Sequence, residues 1–233
     1  MDPLRLVTRS FSLSREIATR KIIKQFARKH ELVYFGYVNQ RDDANELIRG
    51  ITVSTSHIDK HFCVGSYQGH DISVVERSNT IAFSDKASRE YRWLIMQVDL
   101  HKGGVPHMFI DANHHDQQFY ETLFMRFANF TNAAPLFTER DPSFARSFRT
   151  FVAADKFDHA AVVMQPAITH ELTKQYRQFD YETDDDRLLV YANDPLVSPR
   201  VLQEMLAAGT WFAGQLDVAS RHDVPLVQNG KNR

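Results

Sequence analysis

Cysteine is almost absent from this chain, which has one cysteine among 233 residues and therefore no internal disulfide bond. A chain without disulfides fits a reducing compartment, so we expect a cytoplasmic protein. No stretch approaches the roughly 18 apolar residues that a membrane-spanning helix needs. The N-terminal stretch MDPLRLVTRSFSLSREI also lacks the uninterrupted apolar segment of a signal peptide. These absences predict a soluble protein that reaches a membrane only peripherally.

Motifs that identify common enzyme classes are missing as well. There is no G-x-x-x-x-G-K-[S/T] phosphate loop, no G-x-G-x-x-G dinucleotide motif and no G-x-S-x-G nucleophile motif. HELTK (170–174) has lysine where a zinc-protease helix needs its second histidine. DDD (184–186) lacks the ligand spacing of a calcium loop. We therefore predict no cofactor and favour a non-catalytic function.

Charge is distributed unevenly along the chain. The net charge of −1 argues against nucleic-acid binding by the whole molecule. Residues 1–32, however, contain eight Lys/Arg and three Asp/Glu, so this segment carries +5 and the remainder −6. A basic segment of this kind indicates an acidic or anionic partner.

Residues 15–30, REIATRKIIKQFARKH, have the spacing of an amphipathic helix. The apolar residues on one side are Ile22, Ile23, Phe26 and Ala27. The basic residues on the other side are Arg20, Lys21, Lys24 and Arg28. Such a helix can bind an anionic membrane surface or an acidic protein partner. It can equally pack its apolar side on the protein's own sheet and leave the basic side in solvent.

The rest of the chain predicts an α+β fold, with a mainly antiparallel sheet of β-hairpins and helices packed on it. Predicted strands cover 50–56, 61–67, 70–77, 91–100, 105–111 and 148–154. A turn at Gln68-Gly69 joins two of them, and a second hairpin over 179–193 turns at Asp184–Asp186. Predicted helices cover 116–130, 167–177 and a long final segment after the Ser198-Pro199 cap.

This pattern gives a simple domain organisation. Residues 1–32 form a basic helical segment, and residues 33–222 form a single α+β domain. The segment 131–147 is interpreted as a connection, and any internal boundary falls there. Residues 223–233 are predicted to be a flexible tail.

The stretch STSHIDKHFC (54–63) contains two histidines, an aspartate and the only cysteine. Zinc accepts histidine nitrogen and cysteine sulfur, so His57, His61 and Cys63 are candidate metal ligands. A hairpin turning at Gln68-Gly69 instead places Cys63 opposite Val74 and His61 opposite Glu76. In that arrangement the cysteine packs as a small apolar residue and the histidine faces a carboxylate.

The stretch DANHHD (111–116) holds a second group of candidates at a strand-helix junction. Imidazole and carboxylate together suit a metal-bound hydroxide, so Asp111, His114 and His115 are candidate catalytic residues. The alternative is that Asp116 simply stabilises the N-terminus of the helix that follows.

The C-terminal third, from FRTFVAADKFDHAAVV to VLQEMLAAGTWFAGQLD (148–217), resembles a bacterial domain family of unknown function. Members of that family often follow membrane-spanning segments, which this chain does not contain. The resemblance implies a bacterial, non-enzymatic domain and assigns no site residue.

Two hypotheses result from these observations. The favoured one is a binding or interaction module that contacts a protein partner or an anionic membrane surface through residues 15–30. The alternative is a metal-dependent hydrolase that uses the His/Asp clusters at 57–63 or 111–116, alone or brought together by the sheet.

Overall fold

A nine-stranded antiparallel sheet organises the part of the chain that the computed structural model describes. That part comprises residues 3–37, 48–54, 56–81, 89–112, 129–193 and 196–219, with side chains of the first helix from Ser14 onwards. The sheet and its packed helices confirm the predicted α+β class.

The strands pair in the order β1-β2-β3-β4-β9-β8-β5-β7-β6, and every pairing is antiparallel. Their bounds are β1 Val33–Gly36, β2 Ile58–Tyr67, β3 His70–Ile81, β4 Arg89–Asp99, β5 Val105–Ala112, β6 Phe130–Asn132, β7 Phe148–Ala153, β8 Asp180–Asp185 and β9 Arg187–Asn193. The pairing of β4 with β9 joins the N-terminal strands to the C-terminal hairpin.

Six α-helices are described. They are α1 Pro3–Lys29, α2 Ala134–Thr138, α3 Pro142–Ser147, α4 Phe157–Val163, α5 Pro166–Gln175 and α6 Pro199–Ala219, with a 3-10 turn at Ala154–Lys156. Ser198 Oγ accepts a hydrogen bond from Val201 N, which confirms the predicted cap of α6. No helix in the described ranges is long and apolar enough to cross a membrane.

The sheet has two different faces because side chains alternate along each strand. The helix-covered face carries residues such as Ile72, Leu94, Met96 and Val190, which pack with α1 and α6 in the larger core. Gly209 of α6 lies so close to this face that an added Cβ would meet Val98 Cγ2 at 3.0 Å. The opposite face carries a smaller apolar cluster that includes Val75, Trp93, Ile95 and Tyr191.

The predicted Gln68-Gly69 hairpin is confirmed, since Tyr67 pairs with His70 and both turn residues have positive φ. The hairpin at 180–193 is confirmed too, with its turn at Asp185-Asp186. The predicted helix at 116–130 lies almost entirely outside the described residues, and the tail at 223–233 lies wholly outside them.

Two predictions about local structure were wrong. Residues 50–54 form turns instead of a strand, because side chains elsewhere bind their backbone: Ile51 N donates to the Glu182 carboxylate at 2.8 Å. The segment 131–147 is not a bare connection, since it contains the end of β6 and the helices α2 and α3. Asp141 caps α3 by accepting hydrogen bonds from Ser143 N and Phe144 N.

Candidate functional site

Cys63 lies on β2 and is completely buried in the larger core. It pairs with Val74, as predicted from the hairpin register. Burial raises the pKa of the Cys63 thiol to about 12, so the thiol is protonated at neutral pH. A protonated, inaccessible thiol is neither a ready nucleophile nor a ready metal ligand.

His61 occupies a β-bulge and does not face Glu76 directly, which corrects the predicted register. Lys60 pairs with Glu76 instead, the register then shifts, and His61 has φ of 59°. His61 Nε2 nevertheless lies 3.6 Å from Glu76 Oε2, and its Nδ1 is hydrogen-bonded to the Tyr34 hydroxyl at 2.9 Å. Burial lowers the pKa of His61, which favours the neutral imidazole.

His57 lies just before β2, and its Nε2 is 3.9 Å from Asp59 Oδ2. His57, His61 and Cys63 do not bring three ligand atoms within 4.8 Å of one another.

Asp111 lies on β5, buried on the opposite face, where its carboxylate accepts a hydrogen bond from Arg149 Nε at 2.7 Å. Four strands separate β5 from β2 in the sheet, a distance of about 24 Å at the usual strand spacing. Asp111 therefore shares no centre with the residues of 57–63. His114 and His115 lie outside the described residues.

A buried polar network on the opposite face connects the sheet to residues 48–54. Arg77 is completely buried and donates to both carboxylate oxygens of Asp59 at 2.7 Å, to Thr52 Oγ1 at 3.0 Å and to Ile48 O at 2.6 Å. Glu182 accepts hydrogen bonds from the Tyr191 hydroxyl at 2.5 Å and from Ile51 N at 2.8 Å. These contacts hold residues 48–54 on the sheet.

α1 packs its apolar side on the helix-covered face. Of the two arrangements predicted for residues 15–30, this is packing on the protein's own sheet. Ile23, Phe26 and Ala27 are buried in the larger core, and Ile22 packs against its margin. Lys29 Nζ donates a hydrogen bond to Gln203 Oε1 of α6 at 2.9 Å. Ile23, Phe26 and Ala27 are therefore not available to a membrane.

The basic side of α1 forms an open concave surface with a volume of about 640 Å³. It is lined by Ile17, Arg20, Lys21, Lys24, Gln25, Arg28 and Tyr34, and this lining contains no acidic residue. Lys24 Nζ lies 5.1 Å from the centre of the Tyr34 ring, which gives a cation-π contact. We call these residues the basic surface.

Large apolar side chains are exposed on α1 and along the edge strand β1. Ile17 of α1 is 61% exposed, Phe35 of β1 is 59% exposed and Tyr37 is 68% exposed. The Phe35 ring lies 6.0 Å from the ring of Phe62, which belongs to the apolar cluster on the opposite face of the sheet. Phe35 therefore lies on the other side of β1 from the basic surface, and Ile17 is the exposed apolar residue within that surface.

A smaller cleft of about 190 Å³ lies between α1 and the helix-covered face. It is lined by Arg15, Glu16, Lys60, Glu76, Ser78, Glu90 and Arg92. Its three acidic and three basic side chains offset each other, so it has no net charge to select a ligand.

Sequence reasoning missed one group of residues that the fold brings together: His70, His101 and Asp217. They come from the start of β3, the β4–β5 loop and the last turn of α6. Their wide separation in the chain left no spacing pattern to detect, and only the strand and helix pairings place them side by side.

Comparisons with known proteins identify a similar fold. No protein-family model matches the chain, and no curated protein sequence matches it. The crystal structure of the mycobacterial trehalose monomycolate transport factor A, TtfA, matches with a TM-score of 0.56 and 12% sequence identity. The match covers 87% of this chain and 94% of that chain. At this level of identity it establishes a shared fold alone.

Proposed function

We propose that this chain is a non-catalytic binding module that associates with anionic membrane surfaces through the basic surface of α1. The observation that carries the proposal is the presence of four cations and no acidic residue in the lining of that surface. A basic group near an anionic bilayer contributes about 1 kcal/mol to binding.

An exposed apolar side chain within the basic surface supplies a second contribution. Ile17 lines that surface and is 61% exposed, so it can enter the bilayer interface together with the surrounding cations. A combination of electrostatic attraction and shallow apolar contact is the usual basis of peripheral binding. Because the buried side of α1 stays on the core, the whole domain would bind without unfolding this helix.

The fold gives limited additional support. TtfA is named as a trehalose monomycolate transport factor. A fold that occurs in a transport factor is compatible with a binding module that has no catalytic role. A protein partner with an acidic surface is the competing occupant, since it would use the same cations.

Vesicle sedimentation tests the proposal with the full chain. We expect binding to vesicles that contain phosphatidylglycerol and little binding to phosphatidylcholine alone, with a strong decrease at high salt. The triple variant Lys21→Gln, Lys24→Gln and Arg28→Gln should reduce partitioning on the order of 100-fold, because three contributions of about 1 kcal/mol are lost.

A charge-matched variant controls for the change in net charge. Lys102, Lys174 and Arg177 are exposed and lie away from α1, so the triple change to glutamine removes the same charges elsewhere. This control should bind as the unmodified protein does. Equal loss in both variants, or no binding by the unmodified chain, contradicts the proposal. Binding to an acidic protein without binding to vesicles would identify the competing occupant.

A further inference from the structure

We propose that His70, His101 and Asp217 form a binding site for a divalent transition-metal ion, with zinc as the representative case. Within the described ranges these are the three His, Cys, Asp or Glu residues whose ligand atoms all lie within 4.8 Å of one another. The site is separate from the basic surface of α1 and contains no residue of the candidate cluster at 57–63.

Three elements that are distant in sequence supply the ligands. His70 begins β3 after the Gln68-Gly69 turn, His101 follows β4, and Asp217 lies near the end of α6. The side chains of His70 and Asp217 are 7% exposed each, whereas that of His101 is 56% exposed. One side of the site is thus rigid and buried, and the other is open to water as a fourth ligand.

The ring nitrogens are oriented as in established metal sites. His70 Nδ1 lies 3.0 Å from Asp99 O, and His101 Nε2 lies 3.0 Å from Gly69 O. A carbonyl oxygen only accepts hydrogen bonds, so both of these nitrogens carry a proton. His70 Nε2 and His101 Nδ1 then face Asp217 Oδ2 and are the atoms that would bind a metal. Metal-binding histidines usually have a hydrogen-bond partner of this kind on the other nitrogen.

The third ligand lies between the two histidines. Asp217 Oδ2 is 2.6 Å from His101 Nδ1 and 3.9 Å from His70 Nε2, and Asp217 Oδ1 accepts a hydrogen bond from His101 N at 2.9 Å. A proton on His101 Nδ1 accounts for the shorter distance alone. The 3.9 Å between His70 Nε2 and Asp217 Oδ2 is too long for a hydrogen bond and leaves room for an ion between these two atoms.

The position of Asp217 in α6 is a separate indication of a cation. A negative charge is unfavourable at the C-terminal end of a helix, where the backbone carbonyls give a negative potential. The last turn of α6 contains no basic residue. A buried carboxylate at that place needs a positive partner, which is either a protonated His101 or a metal ion held with His70 and His101.

The ligand types limit the choice of ion. Two imidazoles and one carboxylate suit zinc, cobalt, nickel or iron, whereas calcium and magnesium prefer oxygen ligands. A bound ion would join the β2–β3 turn, the β4–β5 loop and the end of α6. It would therefore stabilise the fold by an amount that rises with the logarithm of its concentration above Kd.

Metal titration of the full chain, purified without a histidine tag, tests this proposal. We expect one Zn²⁺ per chain, and Co²⁺ should bind with visible absorption from a site containing nitrogen ligands. Loss of a residue that only hydrogen-bonds a metal ligand lowers metal affinity about 10–100-fold. Asp217→Asn and His101→Ala remove ligands themselves, so each should lower the affinity by more than that. Circular dichroism checks folding, and the exposed position of His101 makes its variant the safer test.

Two control variants locate the ion. The double change His159→Ala and His170→Ala removes two exposed histidines from α4 and α5 and should leave binding unchanged. The double change His114→Ala and His115→Ala should also leave it unchanged. The proposal is wrong if the unmodified chain binds neither ion. It is also wrong if binding survives His101→Ala or is lost only when His114 and His115 are replaced.

Discussion

The two faces of the sheet stabilise the molecule in different ways. The helix-covered face is a large apolar core in which strand residues pack on α1 and α6. Among the described residues, the opposite face has nine buried apolar residues, and the buried Arg77–Asp59 and half-buried Arg149–Asp111 ion pairs lie on the same face. On the helix-covered face, α1 and α6 cover the strands by apolar packing. On the opposite face, polar side chains bind the backbone of residues 48–54.

This difference has an energetic consequence. Apolar contacts on the helix-covered face each contribute in proportion to the area they bury. The buried charges of the opposite face are stable only as a complete network, because a single unpaired member costs several kcal/mol. The opposite face should therefore be more sensitive to the loss of one polar side chain.

Arg77→Ala tests this sensitivity and should have the largest effect. The change leaves the Asp59 carboxylate buried beside Thr52 without its guanidinium partner. We expect a loss of about 3–5 kcal/mol in the free energy of unfolding, measured by urea denaturation. Arg200→Ala is the control, since the Arg200 side chain is 86% exposed, and this change should leave the free energy of unfolding almost unchanged. If Arg77→Ala changes the free energy of unfolding as little as Arg200→Ala does, the opposite face does not depend on its buried charges.

His107→Gln should have a smaller effect that depends on pH. Burial lowers the pKa of His107, but the hydrogen bond and the charge of Glu182, 2.8 Å away, outweigh this and raise it. A raised pKa in the folded state adds stability that is fully present below about pH 6.5. This stability is lost as the pH rises through the folded pKa. The variant should thus be less stable by about 1 kcal/mol at acidic pH, and the difference should shrink toward alkaline pH.

Thermal unfolding at several pH values measures this difference. His159→Gln, at an exposed position in α4, is the control and should show no such dependence. A constant difference between the His107 variant and the unmodified protein would mean that packing alone is lost, for example the ring contact with Phe130.

The local elements of the fold could be predicted from the sequence because they depend on neighbouring residues. The alternation of side chains and the Gln68-Gly69 pair specified one hairpin, and the Ser198-Pro199 pair specified the start of α6. The strand prediction for 50–56 failed because its cause is distant: Glu182 and Arg77 bind the backbone of that loop. No property of the segment itself indicates those partners.

The candidate sites divide in the same way. The basic surface of α1 was visible in the sequence, since helical spacing alone gathers its cations. The group of His70, His101 and Asp217 was not, since it depends on the register of two loops against the end of α6. The register of a single strand could also not be predicted fully. One extra residue in β2 shifts His61 from its predicted place opposite Glu76.

Glu76→Gln gives the smallest expected effect and the opposite sign. Glu76 is a polar residue on the helix-covered face, and burial raises its pKa although Arg15, Arg92 and Lys60 act in the other direction. Because the folded state then disfavours the charged form, ionisation of Glu76 costs stability above its folded pKa. Glutamine should therefore raise the free energy of unfolding by about 0.5 kcal/mol at neutral pH, with no gain at strongly acidic pH.

Glu90→Gln is the matched control, because Glu90 lines the same cleft but is exposed and pairs with Arg92 at 3.0 Å. Loss of stability on replacing Glu76 would show that this face, like the other, is stabilised by its charges.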